Sequence, residues 1–214
     1  GKLKYGDIVF DRWGDQVKVI AITEVWDNRQ CYELTIDNRK IVASAEHLWF
    51  VNREKNNGRI FTTKDIFEYA YELHIPKCHP IVTEPVDFHV DPYLAGIWLF
   101  KHLKEDPTKI AIWNPEILYR LYKTKHRPAI RDIAGGLIQV VGLQLADTKS
   151  LIKLYTSGSI RQRLDFLSGV TDSCENINLG FFNDDTGERT NDFFYLCASL
   201  GLSPKVLNWG KFEN

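Results

Sequence analysis

Arg161 to Asn176 reads RQRLDFLSGVTDSCEN, and an earlier stretch, Asp91 to His102, reads DPYLAGIWLFKH. Leu94-Ala95-Gly96-Ile97-Trp98-Leu99 and Leu167-Ser168-Gly169-Val170-Thr171-Asp172 share one order: a large residue, a small one, glycine, a branched residue and two more helix residues. Adjacent small residues on one helical face remove the side chains that hold two helix axes apart. The segments therefore predict a pair of helices packed near the short end of the usual ~8–10 Å separation. Two ordinary amphipathic helices crossing at small residues would give the same pattern.

Composition bounds what surrounds that pair. The chain has 214 residues, 44% of them apolar, enough for one large domain or two small ones with a real core. A formal net charge of -1 excludes a global basic field and leaves room only for a local basic patch. The four cysteines, Cys31, Cys78, Cys174 and Cys197, have neither CxxC nor zinc-ligand spacing and predict free thiols in a reducing, cytoplasmic setting. No apolar run approaches ~18 residues, so no membrane span is expected. Gly at position 1 and the lack of Met fit an excised, processed or trimmed segment.

From Lys2 to Phe50 the chain predicts an all-β unit. Asp7–Phe10, Val17–Glu24, Gln30–Ile36 and Lys40–Ser44 are rich in Val, Ile, Tyr and Thr, with turn signals at Trp13-Gly14-Asp15, Asp27-Asn28 and Asp37-Asn38. A short strand at Arg59–Thr62 follows, and Thr62-x-x-Asp65 predicts the capped start of a helix running to Leu73. Pro76, Pro80, Pro85 and Pro92 predict an extended linker with a domain boundary near Phe88. His74, Cys78, His79 and His89 fall there without a standard metal-ligand spacing.

Beyond the first motif, the expectations are a strand at Ile110–Trp113 and helices at Pro115–Lys123, Arg131–Leu143, Asp147–Leu154 and Ser159–Thr171. A strand at Asn178–Phe182, a turn at Asp184–Gly187 and a helix at Thr190–Leu200 complete an α+β domain. Lys123, Lys125, His126, Arg127 and Arg131 form the dense basic cluster, a solvated face or a set of phosphate contacts.

The paired motifs, with Asp91-Pro92-Tyr93 and Arg161-x-Arg163-Leu164 as their lead-ins and Ala198-Ser199-Leu200-Gly201 near the end, resemble those of LAGLIDADG homing endonucleases as these occur inside inteins. Ala43-Ser44-Ala45-Glu46-His47-Leu48-Trp49-Phe50 resembles the Thr-x-x-His motif of the Hint fold shared by inteins and hedgehog autoprocessing domains. Ser44 and His47 take the Thr and His places, and Gly6-Asp7 and Cys31-Tyr32-Glu33-Leu34 sit where that family has a Gly-Asp turn and a CYxL-like strand. The resemblance implies a two-part chain. Residues 1–88 would be a partial all-β Hint-like splicing domain, and residues 89–214 an α+β LAGLIDADG-like domain. It implies that His47 protonates a leaving nitrogen and Ser44 helps hold the strained peptide. Its partners would be host-protein flanks, a complementary segment supplying the nucleophile and, for the second domain, double-stranded DNA gripped through Lys123, Lys125, Arg127 and Arg131. No cofactor is implied for splicing, and Mg²⁺ enters only with an active nuclease.

The chain departs from both patterns. The nucleases carry a metal-binding acid at the eighth position of each motif, where this chain has Lys101 and Cys174. An ammonium in place of a carboxylate turns attraction into repulsion, about 4 kcal/mol per unit charge pair at 4 Å and an effective dielectric near 20. Asp172 and Glu175 lie nearby, but Asp172 stands two positions early, roughly 200° around the helix. Endonuclease activity is therefore expected to be lost. Asn214 is of the type that ends an intein, yet Glu213 precedes it where His is usual, and a truncation or split point is expected there. Three functions follow: a splicing element needing a complement, a DNA-binding protein or active homing endonuclease, and a structural remnant.

Overall fold

The computed structural model describes residues 2–36, 39–52, 58–68, 73–103, 105–106, 108–112, 114–123, 129–132, 137–141, 148–173 and 188–204. The chain forms two compact units, Gly1–Cys78 and His79–Asn214.

The first unit is built of hairpins. β1 (Ile8–Phe10) pairs with β2 (Gln16–Lys18), β3 (Cys31–Ile36) with β4 (Arg39–Ser44) and β5 (Leu48–Asn52) with β6 (Gly58–Thr62), each an antiparallel pair of its own; α1 (Thr63–Glu68) follows. The Asp11 carboxylate accepts the Trp13 and Asp15 amides, and Gly14 takes a φ of 87°, which together close the first turn. The strand expected at Val17–Glu24 is cut short at Lys18, since residues 19–30 form no ladder. The Thr62–Asp65 cap is reciprocal: Asp65 accepts the Thr62 amide at 2.9 Å and hydroxyl at 2.7 Å, and Thr62 Oγ1 accepts the Asp65 amide. Those bonds hold the Asp65 carboxyl below its ordinary value. Burial is sparse. Ala43, Ala45, Val51 and Thr63 are covered, while Ile20 is 80% and Val25 81% exposed, with Tyr5, Ile22, Trp26 and Val42 also in solvent. A lone two-stranded hairpin is marginal at best.

The second unit has a continuous core around α2 (Pro92–Lys101). The Asp91 carboxylate accepts the Tyr93 and Leu94 amides at 3.0 and 3.2 Å with Pro92 in the first turn, a strong start signal. Every residue from Tyr93 to Leu99 is buried, so this helix is enclosed on all sides. Around it lie β7 (Lys109–Ala111), α3 (Pro115–Lys123), β8 (Ala129–Asp132), β9 (Leu137–Val141), α4 (Thr148–Thr156), α5 (Ile160–Ser173) and α6 (Glu188–Ser199). The three strands form one antiparallel sheet in the order β7-β9-β8. The helix expected at Arg131–Leu143 is instead the pair β8 and β9. Gly135-Gly136 interrupts it, and its β-branched residues suit strands. The strand expected at Asn178–Phe182 and the turn at Asp184–Gly187 lie outside the described residues.

From His79 onward the proline-rich stretch before α2 forms part of this second unit. The Ile81 amide donates to Ser199 O at 2.8 Å, and the Thr83 hydroxyl donates to Gly158 O at 2.7 Å. Gln162 accepts the Val86 amide and donates to the Val86 carbonyl, as a neighbouring strand would. Arg163, 1% exposed, reaches the carbonyls of Ser199 and Ile81. These bonds place the division between Cys78 and His79 rather than near Phe88, whose ring is itself in the second core.

Candidate functional site

In the first unit the Ser44–His47 turn leaves the end of β4. Ser44 stands opposite Cys31 in the β3–β4 register, and its carbonyl accepts the His47 amide at 3.0 Å. The Ala45 amide donates to Gln30 O at 2.9 Å and the Ala45 carbonyl accepts from Lys64 at 3.0 Å. The His47 carbonyl accepts the Thr63 amide at 2.9 Å, and the Thr63 hydroxyl lies at 3.4 Å from it. The imidazole is exposed and leans edge-on against the Trp49 ring, centroids 4.9 Å apart. The turn is thus fixed by its backbone while the imidazole faces solvent, an arrangement that lets it exchange a proton with a peptide brought alongside.

In the second unit α2 and α5 cross at their glycines. A Cβ on Gly96 would fall on the Phe166 carbonyl and 2.8 Å from the Val170 nitrogen; one on Gly169 would fall on the Tyr93 carbonyl and 3.0 Å from the Ile97 nitrogen. One offset carries Gly96 to Gly169, Tyr93 to Phe166 and Ile97 to Val170, so the contact has pseudo-twofold symmetry. Asp91, Tyr93, Arg161 and Gln162 line a single cleft of about 1030 Å³, which puts the first turns of both helices side by side and makes the pair parallel. Ser159 and Gln162 supply the α5 cap, the Ser159 amide donating to Gln162 Oε1 at 2.9 Å.

Lys101 closes α2, half-buried in its last turn, where a cation suits the helix carbonyls. An ammonium at this helix end does not suit a divalent cation. Asp172 points elsewhere: its Oδ2 accepts the Tyr93 hydroxyl at 2.7 Å and Arg120 Nη1 at 2.8 Å, tying α2, α3 and α5 together. Burial first, then the Asp172 carboxylate, raises the Tyr93 phenol well above its ordinary value. Cys174, Glu175 and Asn214 lie outside the described residues. Among the described residues no group of three or more His, Cys, Asp or Glu could hold a metal ion.

Of the basic candidates, Lys123 is described with its side chain. It lies at the cleft with its ammonium 4.5 Å from the centre of the Tyr119 ring. Arg131 is in β8 with only its backbone described, and Lys125 and Arg127 lie outside the described residues. The cleft is not a basic surface. Arg120 is paired with Asp172 and Arg161 with Asp165, and Asp87 and Asp91 also line it. Sequence reasoning passed over Thr63 and Trp49: the indole N–H donates to Thr63 Oγ1 at 2.9 Å. The sequence assigns the cap to Thr62 and carries no signal that the Thr63 hydroxyl turns inward.

Among proteins of known activity the chain is similar to a replicative DNA helicase. The relative is DnaB of Mycobacterium intracellulare, 27% identical over 210 residues. The alignment takes in 84% of this chain and 35% of the helicase, so the chain spans about a third of the length of the curated relative it matches. No protein-family model matches the chain, and no solved structure does either. None of the described helices is long and apolar enough to cross a membrane.

Proposed function

We propose that the chain is part of an intein: a Hint-like splicing unit followed by a LAGLIDADG-like unit that has lost its nuclease chemistry. The observation that carries this reading is the parallel glycine-to-backbone crossing of α2 and α5, downstream of a Ser44-x-x-His47 turn whose imidazole is exposed. The helicase similarity supports it in form. An inserted splicing element is translated within its host, so a relative carrying one bears the host's name and matches over a segment only.

In this reading a Cys or Ser from a complementary segment attacks the scissile carbonyl. The amide becomes an ester or thioester, and His47 delivers the proton to the leaving nitrogen. The exposed apolar face of the first unit, with Ile20, Ile22, Val25 and Trp26 in solvent, supports a need for that segment. Covering each such side chain contributes roughly 1.5–3 kcal/mol. Lys101 at the end of α2 accounts for the loss of metal-dependent DNA cleavage.

The test is a precursor in which the natural reading frame is kept on both sides of the chain. Mass spectrometry of the purified product should find the flanks joined and the element released, and His47→Ala should stall the release. Unaltered processing in His47→Ala removes His47 from the reading, and a parent precursor that is not processed at all leaves a structural remnant.

A further inference from the structure

We infer that Thr63 is a positioning residue for His47 and acts through Trp49; the inference rests on the reading that His47 serves peptide cleavage. Thr63 is 0% exposed, the buried polar side chain among Ala43, Ala45 and Val51. A buried hydroxyl costs stability unless it is bonded, and a valine would fill the same space. The hydroxyl is bonded on two sides. It accepts the Trp49 indole N–H at 2.9 Å and faces the His47 carbonyl at 3.4 Å, while the Thr63 amide holds that same carbonyl at 2.9 Å.

The consequence is a fixed seat for the imidazole. The His47 amide is held by Ser44 O and the His47 carbonyl by Thr63, so the backbone of the residue is pinned at both ends. The indole is held by its own N–H, and against its ring the imidazole stands edge-on at 73°. The charged neighbours are occupied elsewhere: Glu46 pairs with Arg29 at 3.2 Å and Lys64 with Glu68 at 3.8 Å. The ring orientation therefore depends on the Thr63–Trp49 bond, and a proton donor misplaced by about an ångström loses much of its effect.

The test follows the ring C–H resonances of His47 by NMR in the full chain, identified by their loss in His47→Ala. Thr63→Val should move them away from the positions set by the Trp49 ring and leave the other histidines in place. Thr63→Ser should restore them. In the precursor, Thr63→Val should slow cleavage on the order of tenfold or more, with Thr63→Ser close to the parent. A folded Thr63→Val chain with unmoved His47 resonances overturns the inference, as does a Thr63→Ser chain disturbed to the same degree. Should Thr63→Val unfold the unit, Trp49→Phe decides. It keeps Thr63 on the His47 carbonyl but lacks the N–H, and an unchanged ring environment overturns the inference. Cleavage that ignores His47→Ala retires the role of His47 in cleavage, while the resonance shifts still decide whether Thr63 seats the ring. Cleavage that needs His47 but ignores Thr63 retires the positioning role alone.

Discussion

Replacing Gly96 by alanine should destabilise the second unit, although the same change in an ordinary helix interior stabilises it. Alanine gains about 1 kcal/mol over glycine from helix propensity. At position 96 the added methyl meets the Phe166 carbonyl and the Val170 nitrogen, which are backbone atoms of α5 and have no rotamer into which to retreat. The helices must separate by about an ångström. Ile97 and Val170 are fully buried at this seam. If on the order of 50 atom contacts cross it at ~0.15 kcal/mol each, a gap of that size forfeits a quarter to a half, or roughly 2–4 kcal/mol. After the propensity gain, a net loss of about 1–3 kcal/mol remains, the usual range for an overpacked core. Urea unfolding followed by near-ultraviolet circular dichroism measures it. Gly169→Ala should cost about as much because its contact is the twofold mate, and the double variant should cost less than the sum, since a seam already opened admits the second methyl. A raised or unchanged midpoint for Gly96→Ala would refute the backbone-to-backbone crossing.

Three further outcomes are expected. Arg163→Met should lower stability by about 1–3 kcal/mol by leaving the Ile81 and Ser199 carbonyls short of donors, and hydrogen exchange at the Ile81 amide should quicken; unchanged exchange would contradict the role given to the guanidinium. Iodoacetamide should label Cys31 and Cys78 in the native chain but Cys197 only in urea, because burial encloses that thiol and pushes it up to about 11; peptide mapping reads the order. Tyr93 and Tyr155 have raised folded-state values, so their contribution is complete below the ordinary tyrosine value of about 10 and is lost as pH rises beyond it. Urea midpoints should fall above about pH 10, by at most about 1.4 kcal/mol per pH unit for each phenol, and Tyr155→Phe should flatten the fall.

The helix pair was legible because its signals are local. Glycine beside alanine or serine in both segments, and Asp91-Pro92 before the first, can each be read within a few residues. The β3–β4 hairpin was legible for the same reason, with alternating residues on both sides of a turn signal. What failed depended on distant partners. Pro76 to Pro85 read as a linker because nothing nearby shows that Gln162 and Arg163 will bond residues 81–86. Arg131–Leu143 read as a helix, and it is the pairing of residues 137–141 with β7 and β8 that makes them strand residues. Asp172 was read only by its place in the motif, and its tie to Tyr93 and Arg120 required three elements to meet.

The glycine crossing also governs how such a sequence ages. On the proposed reading Lys101 stands where metal-dependent cleavage would demand an acid, and a chain relieved of that task can change the residue without losing its shape. Gly96 and Gly169 have no such licence, because each is hemmed by the other helix's main chain, and a methyl at either one strains the whole unit. As mutations accumulate, the catalytic letters of the motif fade first and the spacing letters last. If the proposed reading holds, relics of this kind are better sought by their paired small residues than by their carboxylates.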